Sequence, residues 1–173
     1  AIEKNKIDFL SKNSLMAINL LSTSKTYGVK NLLNISSSSI YPELKKKLKE
    51  KDLFTGKLEK TNEPYSLAKI FMLKLCEYYN EGYLTNYRSL VFCNVFGFKR
   101  SKKNIQIVEY ICKEFVSAKK NKLPEIKFKI NHNLSREFIY LQDVVYTISF
   151  FHKLLLHQKF KENFINIPGI KVI

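Results

Sequence analysis

Tyr65 and Lys69 stand four residues apart in the run Tyr65-Ser66-Leu67-Ala68-Lys69. On a helix that spacing stacks the phenol and the ammonium on one face. A free tyrosine keeps its proton to a pKa of about 10, and a neighbouring ammonium favours the phenolate and lowers that value. Such a phenol can hand a proton to the alkoxide that forms as a ketone is reduced, and be recharged afterwards. A serine hydroxyl at a nearby strand end can hydrogen-bond the same oxygen. The run Ser36-Ser37-Ser38-Ser39 offers such hydroxyls. By itself Tyr-x-x-x-Lys arises by chance in many helices whose lysines are simply solvated, so the surrounding elements decide its meaning.

Those elements read as an α/β chain. Ser14 to Lys25 repeats apolar residues at helical spacing (Leu15, Ile18, Leu21), with Asn13 or Ser14 as a cap and Gly28 suited to the left-handed position after its end. Val29 to Ile35 is a short apolar run, read as a buried strand, and the four serines follow it. Tyr41 to Pro64 is polar and lysine-rich, a long loop with at most a short helix, and loops of that length in compact domains are usually functional. Pro64 opens a helix to about Asn80, with Leu67, Ile70, Leu73 and Leu75 recurring on a buried face and Gly82 as its end.

Tyr87 to Phe96 reads as one buried strand closed by Gly97, and Ile105 to Lys119 as an amphipathic helix. Ile126 to Ile130 alternates like an edge strand, and Arg136 to Leu141 is a short strand. Asp143 is placed to cap a helix to about His157, and Phe164 to Ile167 is a last strand. Helix, tight turn and buried strand in that order make a βαβ-type parallel sheet. In open sheets of this kind ligands sit beyond the carboxyl ends of the strands, where the serines and the head of the Tyr65 helix fall.

Composition narrows the class. The chain has 173 residues, 45% of them hydrophobic and 13% aromatic, enough for one packed core. Its three cysteines show neither a zinc spacing nor a disulfide framework, which fits a reducing cytosol. No apolar run is long enough to span a bilayer, so the expectation is a cytoplasmic protein without a membrane partner. The net charge of +15 is spread along the chain with no nucleic-acid module beside it, and a nucleic-acid partner is not expected. A basic surface also suits a substrate carrying a diphosphate.

The motifs then become specific. Ser37-Ser38-Ser39-Ile40-Tyr41-Pro42, Thr61-Asn62-Glu63-Pro64-Tyr65-Ser66-Leu67-Ala68-Lys69, Asn94-Val95-Phe96-Gly97 and Arg136-Glu137-Phe138-Ile139 resemble the GDP-L-fucose synthase type of extended short-chain dehydrogenase/reductase. The likeness runs from Asp8-Phe9 to Phe164-Ile165-Asn166, nearly the whole chain. It implies a Rossmann-like, doubly wound parallel sheet, present in part, with part of a small α/β substrate-binding region. Residues 1–98 would be the second half of the NADP-binding domain, and 99–173 part of the substrate region interleaved with late Rossmann elements.

The resemblance implies NADPH-dependent reduction at C4 of a GDP-linked 4-keto-6-deoxy sugar. Tyr65 would donate the proton, Lys69 would hold the nicotinamide ribose and tune Tyr65, and Ser37 would bind the ketone oxygen. Ser36 and Asn94 would also meet the cofactor. Ser38, Ser39, Asn94, Gln106 and Arg136 would line the substrate site, Arg136 at the diphosphate, which its guanidinium fork matches. A homodimer packed through the Ser14 and Tyr65 helices is implied as well.

Two departures qualify that picture. The related enzymes epimerise C3 and C5 with a cysteine and a histidine, where this chain has Ser39 and, by alignment through Phe115, Gln106. An alkanol is a far weaker acid than a thiol at about 8.5, and a carboxamide does not titrate in this range, so loss of epimerase activity is expected. The glycine-rich turn that seats a dinucleotide pyrophosphate does not occur among the five glycines. The expectation is therefore an internal piece of a longer reductase. The competing readings are a complete epimerase/reductase using other acid/base groups and a non-catalytic basic module.

Overall fold

The computed structural model describes residues 5–43, 48–97, 107–128 and 136–172. Helix α1 spans Lys6–Thr26 and begins well before Ser14. Neither Asn13 nor Ser14 caps it. Asn13 lies inside and gives its amide to the Phe9 carbonyl at 2.6 Å, and Lys12 pairs with Asp8 one turn back at 2.9 Å. That first stretch presents mostly exposed side chains, so periodicity could not reveal it. The helix ends as expected at Gly28, whose φ of 68° is open to a residue without Cβ.

Strand β1 (Asn31–Ser37) leads into a 3-10 turn at Ser38–Ile40, and a second such turn at Glu50–Asp52 interrupts the loop that follows. Helix α2 covers Glu63–Tyr83 with Pro64 in its first turn; Ile70 and Leu73 are buried on it as expected, whereas Leu67 is exposed, one position round from the buried Ser66 and Ala68. Gly82 does not end it. It lies in the last turn, and the chain leaves at Leu84, left-handed at φ 52°.

The apolar run expected as one strand is two: β2 (Asn86–Phe92) and β3 (Asn94–Phe96), parted at Cys93. They belong to different sheets, β1-β2-β5 and β3-β4-β6. Helix α3 spans Ile107–Lys120; residues 126–128 form no strand, against the expected edge strand, and 129–130 lie outside the described residues. Strand β4 (Arg136–Tyr140) runs straight into helix α4 (Leu141–Leu156), so Tyr140 occupies the cap position and Asp143 falls in the first turn instead of capping it. Strands β5 (Phe164–Ile167) and β6 (Ile170–Val172) close the chain, the latter too short to be read from sequence.

All pairings in the first sheet are parallel, and Ser37, Phe92 and Ile167 stand level at its carboxyl end. Alternation along β2 sends Tyr87 and Val91 toward α1 and α2, and Leu90 and Phe92 toward α4. Leu21, Leu73, Leu90 and Leu155 are no more than 1% exposed, each worth about 1.5–3 kcal/mol of burial. The expected parallel α/β sheet with helices on both faces is present.

Both β2 and β5 pass from the first sheet to the second, at Cys93 and at Pro168-Gly169. The two crossings touch. A Cβ on Gly169 would lie 2.5 Å from Cys93 Sγ and 2.5 Å from the Phe138 carbonyl oxygen, so only glycine fits there. This seam sits beside the carboxyl ends of β1, β2 and β5.

Candidate active site

Strand β1 delivers Ser36 and Ser37 to the carboxyl edge of the first sheet, and the turn after it presents Ser38 and Ser39. Ser37 caps that turn, its Oγ accepting the Ser39 N–H at 3.3 Å, which leaves its hydroxyl hydrogen free to point elsewhere. The head of α2 lies against the same strand end. Pro64 and Ser66 are buried, so Tyr65 and Lys69 on the adjoining face are only partly covered.

Lys69 connects the two elements. Its Nζ donates to the Ile35 carbonyl at 3.0 Å, two residues before Ser37, and lies 5.8 Å from the Tyr65 ring centroid. Burial pushes the ammonium below the ordinary lysine value. One of its three N–H groups is used by Ile35, and two remain for a ligand. The serines add donors. Ser36, Ser39 and Ser66 each have a buried Oγ with no hydrogen-bond partner among the described residues. Two of these flank Ser37 and the third follows Tyr65 directly. An ammonium with spare N–H groups fits a sugar ring carrying several hydroxyls, such as a nicotinamide ribose.

The other expected residues sit on the second sheet. Asn94, on β3, donates its amide to the Glu137 carbonyl at 3.0 Å, which fixes the side chain and leaves its Oδ1 outward as an acceptor. Arg136 is exposed at the start of β4. Glu59 accepts from Thr61 Oγ1 at 2.7 Å and Asn62 Nδ2 at 2.8 Å; those two bonds hold its carboxyl below the usual range, and the charge of Arg136 adds to the effect. Gln106 lies outside the described residues. Tyr41, Glu50 and Asn166 were missed as individual residues; only the hydroxyl of a tyrosine set between Ile40 and Pro42 hinted at a polar task. Among the described residues no cluster of His, Cys, Asp or Glu could hold a metal ion, and no helix is long and apolar enough to cross a membrane.

Tyrosine and lysine on one helix turn beside a strand-end serine suit proton delivery to a carbonyl oxygen. Residues 2–167 match the NAD dependent epimerase/dehydratase family. The chain belongs to this family. The GDP-L-colitose synthase of Yersinia pseudotuberculosis is 37% identical over 158 residues, covering 87% of this chain and 51% of that protein. The GDP-L-fucose synthase of Escherichia coli (strain K12) is 33% identical over 159 residues, covering 90% of this chain and 49% of that protein. The chain spans about half the length of these curated relatives.

Among solved structures, the GDP-mannoheptose C4 reductase of Campylobacter jejuni with NADP bound superposes at a TM-score of 0.83 and 25% identity, over 98% of this chain and 61% of that one. A GDP-6-OMe-4-keto-L-xylo-heptose reductase from C. jejuni matches at a TM-score of 0.66 and 29% identity, over 98% of this chain and 60% of that one. The Rossmann-like fold of this family is thereby the fold of the chain.

Proposed function

We propose that the chain is the catalytic part of an NADPH-dependent sugar-nucleotide reductase, which reduces the C4 ketone of a GDP-4-keto-6-deoxy hexose or heptose in nucleotide-sugar biosynthesis. The observation that carries this reading is the placement of Lys69 against Ile35, which sets the Tyr65 helix beside the Ser37 strand end. The names of the heptose reductases and of the colitose and fucose synthases support the substrate class.

In this reading NADPH supplies the hydride that the ketone carbon accepts. Tyr65 passes its phenolic proton to the ketone oxygen as the C–O π bond becomes an alkoxide, so the product is a secondary alcohol and the phenolate is reprotonated from solvent. Ser37 donates a hydrogen bond to the same oxygen. Lys69 holds the ribose with its two spare N–H groups, and its positive charge steadies the phenolate. Ser36 and Asn94 complete the cofactor side. Ser38, Ser39, Asn94, Gln106 and Arg136 line the sugar nucleotide, with Arg136 on the diphosphate. Residues 1–98 act as the second half of the cofactor domain and 99–173 as part of the substrate region.

Ser39 and Gln106 replace the thiol and imidazole that epimerisation needs, so reduction proceeds without inversion at C3 or C5. The protein works in the cytoplasm as a homodimer through α1 and α2. Ile7, Leu15, Met16 and Leu20 on α1 and Leu67 and Phe71 on α2 are exposed apolar residues available for that contact. The test is turnover of a GDP-4-keto-6-deoxy sugar with NADPH by the full-length protein in deuterated water, with the product read by NMR. The reading requires a C4 alcohol with protium retained at C3 and C5. Label at either carbon favours a complete epimerase/reductase, and failure to consume NADPH removes the proposal.

A further inference from the structure

The Ser37 turn is weakly held by its own backbone. Within it Ser37 Oγ accepts the Ser39 N–H at 3.3 Å, and the Tyr41 N–H reaches the Ser38 carbonyl at 3.2 Å. Both bonds are long, and 3-10 geometry is poorer than that of an α-helix. A hydroxyl that must meet a ketone oxygen within a fraction of an ångström needs firmer support.

That support comes from far along the chain. The Tyr41 side chain is 4% exposed, and its hydroxyl donates to Asn166 Oδ1 at 2.7 Å, across 125 residues of sequence. Asn166 lies on β5 opposite Val91, one residue before Ile167, which stands level with Ser37. The Asn166 backbone N–H donates to Glu50 Oε1 at 2.8 Å. Glu50 sits in the second 3-10 turn, whose shape is set by the Lys49 N–H bonding Asp52 Oδ2 at 2.9 Å. One residue thus ties the Ser37 turn, the loop leading to α2 and the end of β5 together.

We propose that Tyr41, Asn166 and Glu50 form a latch, anchored on Asn166, that positions the Ser37 hydroxyl. They are positioning residues. The polarity of the first bond is fixed, because Asn166 Oδ1 can only accept and the phenol must donate. Burial pushes Tyr41 up to about 12, partly offset by the Asn166 bond and reinforced by the charges of Glu50 and Asp52, so the donor keeps its proton across any working pH. The catalytic consequence rests on the reading of Ser37 given above; the latch itself does not.

The test compares the wild type with Tyr41→Phe, Asn166→Ala, their double variant, Ser37→Ala, and Tyr41→Phe combined with Ser37→Ala, by amide hydrogen exchange and by NADPH oxidation. Tyr41→Phe and Asn166→Ala should each speed exchange at Ser39 and Tyr41 by about tenfold while β2 amides stay unchanged, and the double variant should go no further than the larger single change. In turnover, kcat should fall by about tenfold with KM nearly constant, and Tyr41→Phe should cost nothing more in the Ser37→Ala background, an outcome that general loosening would not give. Unchanged exchange at the turn, or equal acceleration throughout the sheet, overturns the latch. A full further loss of kcat in the Ser37→Ala background overturns its action through Ser37. If the wild type consumes no NADPH, the reductase reading falls, and the exchange data still decide the latch.

Discussion

Lys69 Nζ lies 3.0 Å from the carbonyl oxygen of Ile35, so the side chain that follows Tyr65 by one helical turn is bound to the strand that ends in Ser37. This bond fixes the distance between helix and strand. It also keeps an ammonium half-buried, where it costs stability.

Replacing Lys69 by Met should therefore separate stability from function. The variant loses reductase activity, yet its thermal midpoint stays equal to the wild type or rises at neutral pH. The pH dependence has a definite sign. Burial lowers the folded pKa of Lys69, so the unfolded chain binds more protons between that value and about 10.4, the value of a free lysine. Wild-type stability should rise relative to Lys69→Met as pH climbs through that window. Paired melting curves from pH 7 to 10.5 check it, and a constant difference would contradict the burial cost.

The thiols should react in the order of their exposure. Cys112 is exposed and Cys76 is buried, and burial raises the Cys76 pKa to about 12. Cys112 should label quickly with a chromogenic disulfide at pH 8, while Cys76 waits for unfolding. Because the folded value lies above that of a free thiol, Cys76 stabilises the fold fully below about 8.5, and that contribution fades as pH rises toward the folded value. Cys76→Ala should flatten alkaline destabilisation. Fast labelling of Cys76 in the native protein would contradict the packing of α2 on β2.

Gly169 closes the seam between the sheets, where a Cβ would meet both Cys93 Sγ and the Phe138 carbonyl. The sulfur can shift, but the carbonyl belongs to β4 and cannot move freely. Gly169→Ala should lower stability by about 1–3 kcal/mol in urea unfolding, with Cys93→Ala recovering only part. Full recovery would show that the sulfur alone makes the site tight.

Much of this arrangement was legible in the residues. Pro64, the apolar spacing after it and the strand ending in four serines placed the Tyr65 helix beside Ser37, because helix and strand periods are local properties. What escaped was set by contacts between distant segments. The run Tyr87–Phe96 reads as one continuous strand, because the break at Cys93 is set by pairing with distant strands in two different sheets. Asp143 has the chemistry of a cap, but β4 enters α4 with no linker and leaves it no capping position. Tyr41 was visible as a motif residue, whereas its partner Asn166 lies 125 positions away. The exposed start of α1 lacks a buried stripe to betray it.

The central claim is that Tyr65 delivers the proton to the sugar ketone, and the most direct test is the rate of NADPH oxidation with a GDP-4-keto-6-deoxy sugar in the wild type and in Tyr65→Phe. The substitution removes only an oxygen from a partly covered side chain, so the fold should survive, as circular dichroism would show. The expected result is a fall in kcat of at least about 100-fold with substrate binding retained. Undiminished turnover in Tyr65→Phe would contradict it.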